Sequence, residues 1–186
     1  RGDRMAVVIL DEVTFLIRLL TDNWATASNA LYDSNSANKQ INTNLTTPKI
    51  IDIRSISPNE GRRVDADSDT AIVIVYEDSN SVDYPTIDYS VRNETFSFTI
   101  HIRVLARRDF ATNTTARDRL QDLYRIVRYI LENNSIRPTI TTVDGGTTNT
   151  QSAEIIKLKS RSEANDRGKR LLGYKLSVEV KRFARS

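Results

Sequence analysis

The sequence predicts an α+β fold: a mostly antiparallel sheet of about five strands with two helices packed on one face. Two stretches carry apolar residues at helical spacing, and several others alternate or are continuously apolar, as strands do. These elements follow one another in the order α-β-β-β-α-β-β. The chain has 186 residues, of which 39% are hydrophobic and 27% charged. Because this is the mix of a globular protein, we expect a single domain over residues 1–186.

The first helix is predicted over about residues 8–32. Apolar residues spaced three and four apart form one stripe along it: Leu10, Val13, Leu16, Ile17, Leu20, Trp24, Ala27 and Leu31. Trp24, the only tryptophan, should belong to the core, and Ser28 to the opposite side. Residues 33–47 are rich in Asn, Ser and Thr and predict a loose polar connector. An α+β core over 48–183 then follows.

The first strand is predicted to open at Pro48 and to run over 49–56. Ile51 and Ile53 then share one of its faces. A long charged loop over 57–69 follows.

The next two strands differ in pattern. Residues 71–76 are continuously apolar and mostly β-branched, which is typical of an interior strand covered on both faces. Residues 77–93 form a long polar segment. The strand at 95–105 alternates, so its apolar face packs on a helix and its polar face is wet or meets a partner. The apolar face holds Phe96, Phe98, Ile100, Ile102 and Val104; the polar face holds Ser97, Thr99, His101 and Arg103.

The second helix is predicted over about residues 115–133. Thr115 and Asp118 have the spacing of a capping box, and Pro138 prevents the helix from continuing. Its core face holds Leu120, Leu123, Tyr124, Val127, Ile130 and Leu131. Arg117, Arg119, Arg125 and Arg128 lie away from that face.

Two further strands end the fold. A Thr-rich loop around Gly145 and Gly146 leads to a strand at 153–160 and a charged hairpin loop at 161–170. The last strand alternates Leu172, Tyr174, Leu176, Val178 and Val180 with Lys175, Ser177, Glu179 and Lys181 on the other face.

The residue types needed for catalysis are scarce. The chain has no cysteine and one histidine, His101, which leaves little for a thiol nucleophile, a histidine metal site or a triad. We therefore expect no catalytic residues, no cofactor and no metal site. Glu179 and Lys181 resemble the pair of a metal-dependent nuclease, which would need a second carboxylate. Asp52 or Asp69 could supply it, although no spacing supports either.

The loops carry charges of opposite sign in separate places. Such patches suit head-to-tail contact between copies of one protein, although ordinary solvated loops would explain them as well. The candidate assembly interface comprises Asp65, Asp67, Asp69, His101, Arg103, Arg107, Arg108, Arg161, Arg167, Lys169 and Arg170.

Three stretches together resemble the tail terminator, or tail completion, proteins of long-tailed viruses. They are the strand and turn at 98–109, the helix at 117–131 and the basic loop and strand at 161–180. The resemblance covers about the last 95 residues and, more loosely, the first helix. It rests on element order and charge rather than on invariant residues.

The resemblance implies a structural subunit and no enzyme. Members form a ring, expected to be a hexamer, which caps the tail tube, stops its polymerisation and joins it to the neck or head connector. The implied partners are further copies of the chain, a tail tube protein and a head-connector protein. DNA would pass through the lumen without sequence recognition, and the protein would be assembled in the host cytoplasm and reside in the virion.

Two alternatives remain open. One is another ring protein of the head–tail connector. The other is a basic accessory module that binds nucleic acid. The net charge of +3 is far below that of a dedicated nucleic-acid binder, but the sequence pI of about 9.2 allows weak phosphate contact. A membrane role is not expected, because the apolar run at 5–10 breaks at Asp11 and is too short to span a bilayer.

Overall fold

A computed structural model of the chain describes residues 12–33, 39–52, 71–83, 91–105, 114–144, 147–168 and 170–185. The helices are α1 (Glu12–Leu31) and α2 (Thr114–Asn133). The strands are β1 (Lys49–Asp52), β2 (Ile72–Asp83), β3 (Val91–Leu105), β4 (Thr139–Asp144), β5 (Thr147–Ser152), β6 (Ile155–Glu163) and β7 (Leu171–Arg185).

Within these residues, five strands form the main sheet in the order β1-β2-β3-β7-β6. The β1–β2 pair is parallel, and the other three pairs are antiparallel. The predicted α+β class and the order α-β-β-β-α-β-β are confirmed. The structure adds a second, two-stranded sheet formed by β4 and β5.

Both helices cover the same face of the main sheet. The buried sheet residues in the core are alternate ones, from Phe96 to Val104 on β3 and from Leu172 to Val180 on β7. Helix α2 packs over β3, β7 and β6, and α1 lies beside it over β1 and β2. All six residues predicted for the core face of α2 are buried.

Helix α1 is more deeply enclosed than its apolar stripe predicted. Trp24 is fully buried, as expected. Phe15, Leu19 and Ser28 are buried too, so the prediction that Ser28 lies on the outer side is wrong. Its hydroxyl accepts the backbone N–H of Leu45 at 2.9 Å, which compensates for the burial of this polar group.

The second half of the connector is held in place, in contrast to the loose segment expected. Ile41 is buried in the core. The indole N–H of Trp24 donates to the carbonyl of Leu45 at 3.1 Å, and the backbone N–H of Asn42 donates to Asp122 Oδ2 at 2.9 Å. The segment 39–47 therefore ties α1 to α2.

Several strand boundaries differ from the predictions. The segment 77–93 is not simply a polar loop, because Glu77–Asp83 continue β2 and Val91–Asn93 begin β3. On either side of Gly145 and Gly146, where a Thr-rich loop was predicted, residues 139–144 and 147–152 pair as β4 and β5. The first strand is described only to Asp52, and residues 53–56 lie outside the described part of the chain.

Candidate functional site

The main sheet has an exposed strand edge at each end of its strand order. Strand β2 pairs with β1 only over Ile72–Val75. From Tyr76 to Asp83, no described strand lies on that side of β2. At the opposite side of the sheet, β6 pairs with β7, and within the described residues its other edge meets only the isolated bridge at Ile155. Unpaired edges offer N–H and C=O groups to another chain.

The free part of β2 is acidic. Glu77, Asp78 and Asp83 lie in a run that is exposed from residue 77 to 83. Asp78 sits at a bulge, where it accepts a hydrogen bond from the Thr99 hydroxyl at 2.5 Å. Asp78 is thus tied to the neighbouring strand, and Glu77 and Asp83 have exposed carboxylates that can meet a partner.

The edge strand β6 is basic. Lys157, Lys159 and Arg161 are all exposed. Lys159 Nζ lies 2.9 Å from Glu179 Oε2 on β7, and Lys181 lies 3.7 Å from Glu179 Oε1. The hydrogen bond from Lys159 and the nearby lysines lower the pKa of Glu179, which keeps it ionised. One carboxylate among three lysines leaves this edge with excess positive charge.

The polar face of β3 is less open than the alternation predicted. Thr99 is buried, and His101 and Arg103 are half-buried. The His101 ring packs edge-on against Tyr76 at 5.7 Å between centroids, and Nδ1 lies 3.4 Å from the Arg103 guanidinium. Burial, with Arg103 and Lys175 nearby, lowers the pKa of His101 to about 4. His101 is therefore a neutral packing residue at neutral pH.

The predicted interface residues are only partly described. Arg167 and Arg170 lie in the exposed turn between β6 and β7. Contrary to the prediction, Arg161 does not belong to that loop, because β6 extends to Glu163. Instead it packs on the helix side of the sheet, beside Tyr124 and Tyr174. Asp65, Asp67, Asp69, Arg107, Arg108 and Lys169 lie outside the described residues.

The positions of the described carboxylates do not support the nuclease hypothesis. Glu179 is surrounded by lysines, and Asp52 lies on β1, three strands away from β7. At about 4.8 Å per strand, that separation is roughly 14 Å, too far for one shared metal ion. Asp69 falls outside the described residues. The described part of the chain contains no group of three His, Cys, Asp or Glu residues able to hold a metal.

The sequence contained signals for the charged edges, although the predicted interface was placed mainly in the charged loops. Lys157 and Lys159 alternate with Ile156 and Leu158, a pattern that turns both lysines outward from a strand. The acidic pair at 77–78 directly follows a strongly predicted strand, which simply continues through it.

No family model matches this chain, and neither does any curated protein sequence. None of the described helices is both long enough and apolar enough to cross a membrane.

Proposed function

We propose that this chain is a structural subunit of a virus tail or neck, which forms a ring that caps the tail tube, stops its polymerisation and joins it to the head connector. The observation that carries the proposal is that, among the described strands, one sheet has two unpaired edges of opposite charge. Glu77 and Asp83 mark one edge, and Lys157 and Lys159 mark the other.

Opposite edges on one subunit favour head-to-tail association. The acidic edge of one copy meets the basic edge of the next, which is a heterologous contact because the two surfaces differ. Such contacts produce a closed ring when the rotation between neighbours divides a full turn. Charge complementarity accelerates the encounter and fixes the register, and edge pairing adds backbone hydrogen bonds. We propose six copies, the number implied by the family resemblance.

A ring of this kind can end a tube because its subunits differ from those of the tube. Projecting parts are available for neighbouring rings: the polar β4–β5 hairpin, with Thr141, Thr148 and Thr150 exposed, and the turn that carries Arg167 and Arg170. In the proposal these meet the tail tube protein on one side and the connector on the other, while DNA passes through the lumen. The protein then resides in the virion.

The test exchanges the charges of the two edges. One variant, Lys157→Glu with Lys159→Glu, has two acidic edges; the other, Glu77→Lys with Asp83→Lys, has two basic edges. Neither should assemble alone at low salt. Because unlike edges then lie on different chains, an equimolar mixture should form alternating rings with an even number of subunits. Native mass spectrometry and electron microscopy would count the copies, and tail tube ends can be added as a template.

Circular dichroism provides the folding control for each variant. A further variant with all four reversals restores complementary edges and should assemble alone. If both single-edge variants assemble as the natural chain does, or if the mixture stays monomeric where the natural chain forms rings, these edges are not the subunit contact.

A basic module that binds nucleic acid is the second candidate. The observation in its favour is that Lys157, Lys159 and Lys175 are exposed on the outer face of the sheet, with Lys181 beside them. Binding to phosphates would weaken steeply with salt, by a logarithmic slope of about −0.9 per contacted phosphate on duplex DNA. A titration of monomeric protein with duplex DNA at several salt concentrations measures that slope.

A further inference from the structure

A cleft between α2 and β6 contains an arginine whose charge has no acceptor among the described residues. The cleft has a volume of about 530 Å³ and is lined by Arg161, Gln121, Arg125 and Arg128, among others. Volumes of this size are typical of sites that hold a small ligand or a few residues of a peptide. It opens beside the basic edge strand and is distinct from the edge itself.

Two tyrosine rings fix the Arg161 guanidinium. Its central carbon lies 4.6 Å from the centroid of Tyr124 and 4.8 Å from that of Tyr174. The two rings pack edge-to-face at 5.6 Å, so each supports the other. Cation–π contacts with the two rings leave the guanidinium charge without a hydrogen-bond acceptor, so N–H groups remain available to an anion. Among the described residues, none accepts a hydrogen bond from Arg161 or forms an ion pair with it.

A second side chain with donor groups, Gln121, lines the same cleft. The Tyr174 hydroxyl donates to Gln121 Oε1 at 3.1 Å. The Gln121 amide nitrogen has no acceptor in the part of the chain that the structure describes. Arg125 and Arg128 are already engaged: Arg125 donates to the carbonyl of Gln40, and Arg128 lies 2.6 Å from Glu132.

We propose that this cleft binds a carboxylate, presented by an acidic peptide segment of a partner protein. A planar guanidinium with a fixed orientation pairs with a carboxylate through two parallel hydrogen bonds, and the Gln121 amide adds a third donor. The lining holds three arginines and one carboxylate, Glu132, so its excess positive charge suits an anion. The proposal concerns the single chain and does not depend on ring formation.

The test is a titration of the monomeric full-length protein with an acetylated and amidated tetraglutamate peptide at low salt. The Arg161 side-chain Nε–H signal should shift in proportion to saturation. Arg161→Gln should weaken binding about tenfold or more, the scale of a lost charge-assisted pair. Arg18→Gln removes one charge from the exposed side of α1 and serves as the control, with a change below about twofold expected.

Further variants and a phosphate titration distinguish carboxylate binding from a purely structural role of Arg161. Tyr174→Phe keeps the ring but frees Gln121, so it should weaken peptide binding several-fold with little change in melting temperature. If Arg161 only shields the tyrosines, Arg161→Gln lowers the melting temperature and leaves binding unchanged, which overturns the proposal. Equal losses for Arg161→Gln and Arg18→Gln overturn it too, as does Arg161-dependent binding of inorganic phosphate that is tighter than that of the peptide.

Discussion

Asp122 gives the sharpest test of how the connector is held to the helices. Its side chain is 2% exposed, and Oδ2 accepts the backbone N–H of Asn42 at 2.9 Å. The other oxygen, Oδ1, lies 4.0 Å from Arg125 and accepts no hydrogen bond from the described residues. Burial raises the pKa of the Asp122 carboxyl, and the Asn42 N–H and Arg125 offset only part of that effect. Asp122 therefore stabilises the fold as a hydrogen-bond acceptor, and the negative charge of its carboxylate adds little to that stability.

Two substitutions separate the acceptor from the charge. Asp122→Ala leaves the buried Asn42 N–H without its acceptor and should lower the free energy of unfolding by about 1–3 kcal/mol. Asp122→Asn keeps an acceptor and removes the buried charge, so at pH 7 it should change the free energy of unfolding by less than about 1 kcal/mol. Urea unfolding followed by circular dichroism measures both changes.

The pH dependence has a defined sign. Because the pKa of Asp122 is raised on folding, the folded state binds more protons than the unfolded state between the ordinary aspartate pKa and the raised value. Stability therefore falls as pH rises through that window, and Asp122→Asn should remove this fall. If Asp122→Asn and Asp122→Ala are equally destabilised, the charge rather than the acceptor holds the connector. If the difference between Asp122→Asn and the natural chain is independent of pH, the pKa of Asp122 is not raised on folding and the predicted pH dependence is wrong.

Three further predictions concern the sheet. Phe98 is fully buried on β3, so Phe98→Ala should cost about 3–5 kcal/mol in chemical unfolding, and a loss below about 1 kcal/mol would remove this face from the core. The pKa of His101 is lowered to about 4, so between about pH 6.5 and 4 the unfolded state binds more protons than the folded state, and stability should fall as pH drops through this range. His101→Gln should lessen that fall, and an unchanged dependence of stability on pH in the variant would contradict this prediction. A Cβ at Gly173 would lie 2.9 Å from the carbonyl oxygen of Ala164, so Gly173→Ala should lower stability by about 1–3 kcal/mol in melting experiments. Gly168→Ala is the control and should be nearly neutral, because the nearest contact of its Cβ is at 3.4 Å. Equal losses of stability for the two variants would refute the clash.

The elements with strong periodicity were predictable from the sequence. Helix α2 and strands β3 and β7 each bury one continuous apolar stripe, and their faces are those expected. The β4–β5 hairpin was missed because its residues are polar, although Gly145-Gly146 between two Thr-rich runs is a turn signal. The extension of β2 to Asp83 has no apolar alternation, and among the described strands only β3 pairs with it.

The surface was harder to predict than the core. Arg161 belongs to the helix side of the sheet because a bulge between Leu158 and Ser160 shifts the register of β6, and no local pattern announces a bulge. The contact between Asp122 and Asn42 joins positions 80 residues apart, and it accompanies the burial of a charged residue outside the predicted core face of α2. Long-range partners of this kind are set by the tertiary fold.

The most direct measurement of the proposed role is the length distribution of tails made without this protein. Deletion of its gene, followed by electron microscopy of the assembled particles, isolates the capping step, since heads and tube subunits are still made. The proposal predicts full heads and separate tails that fail to join, with some tails overlong because nothing covers the growing end. Joined tails of normal length would contradict the role of a terminator ring.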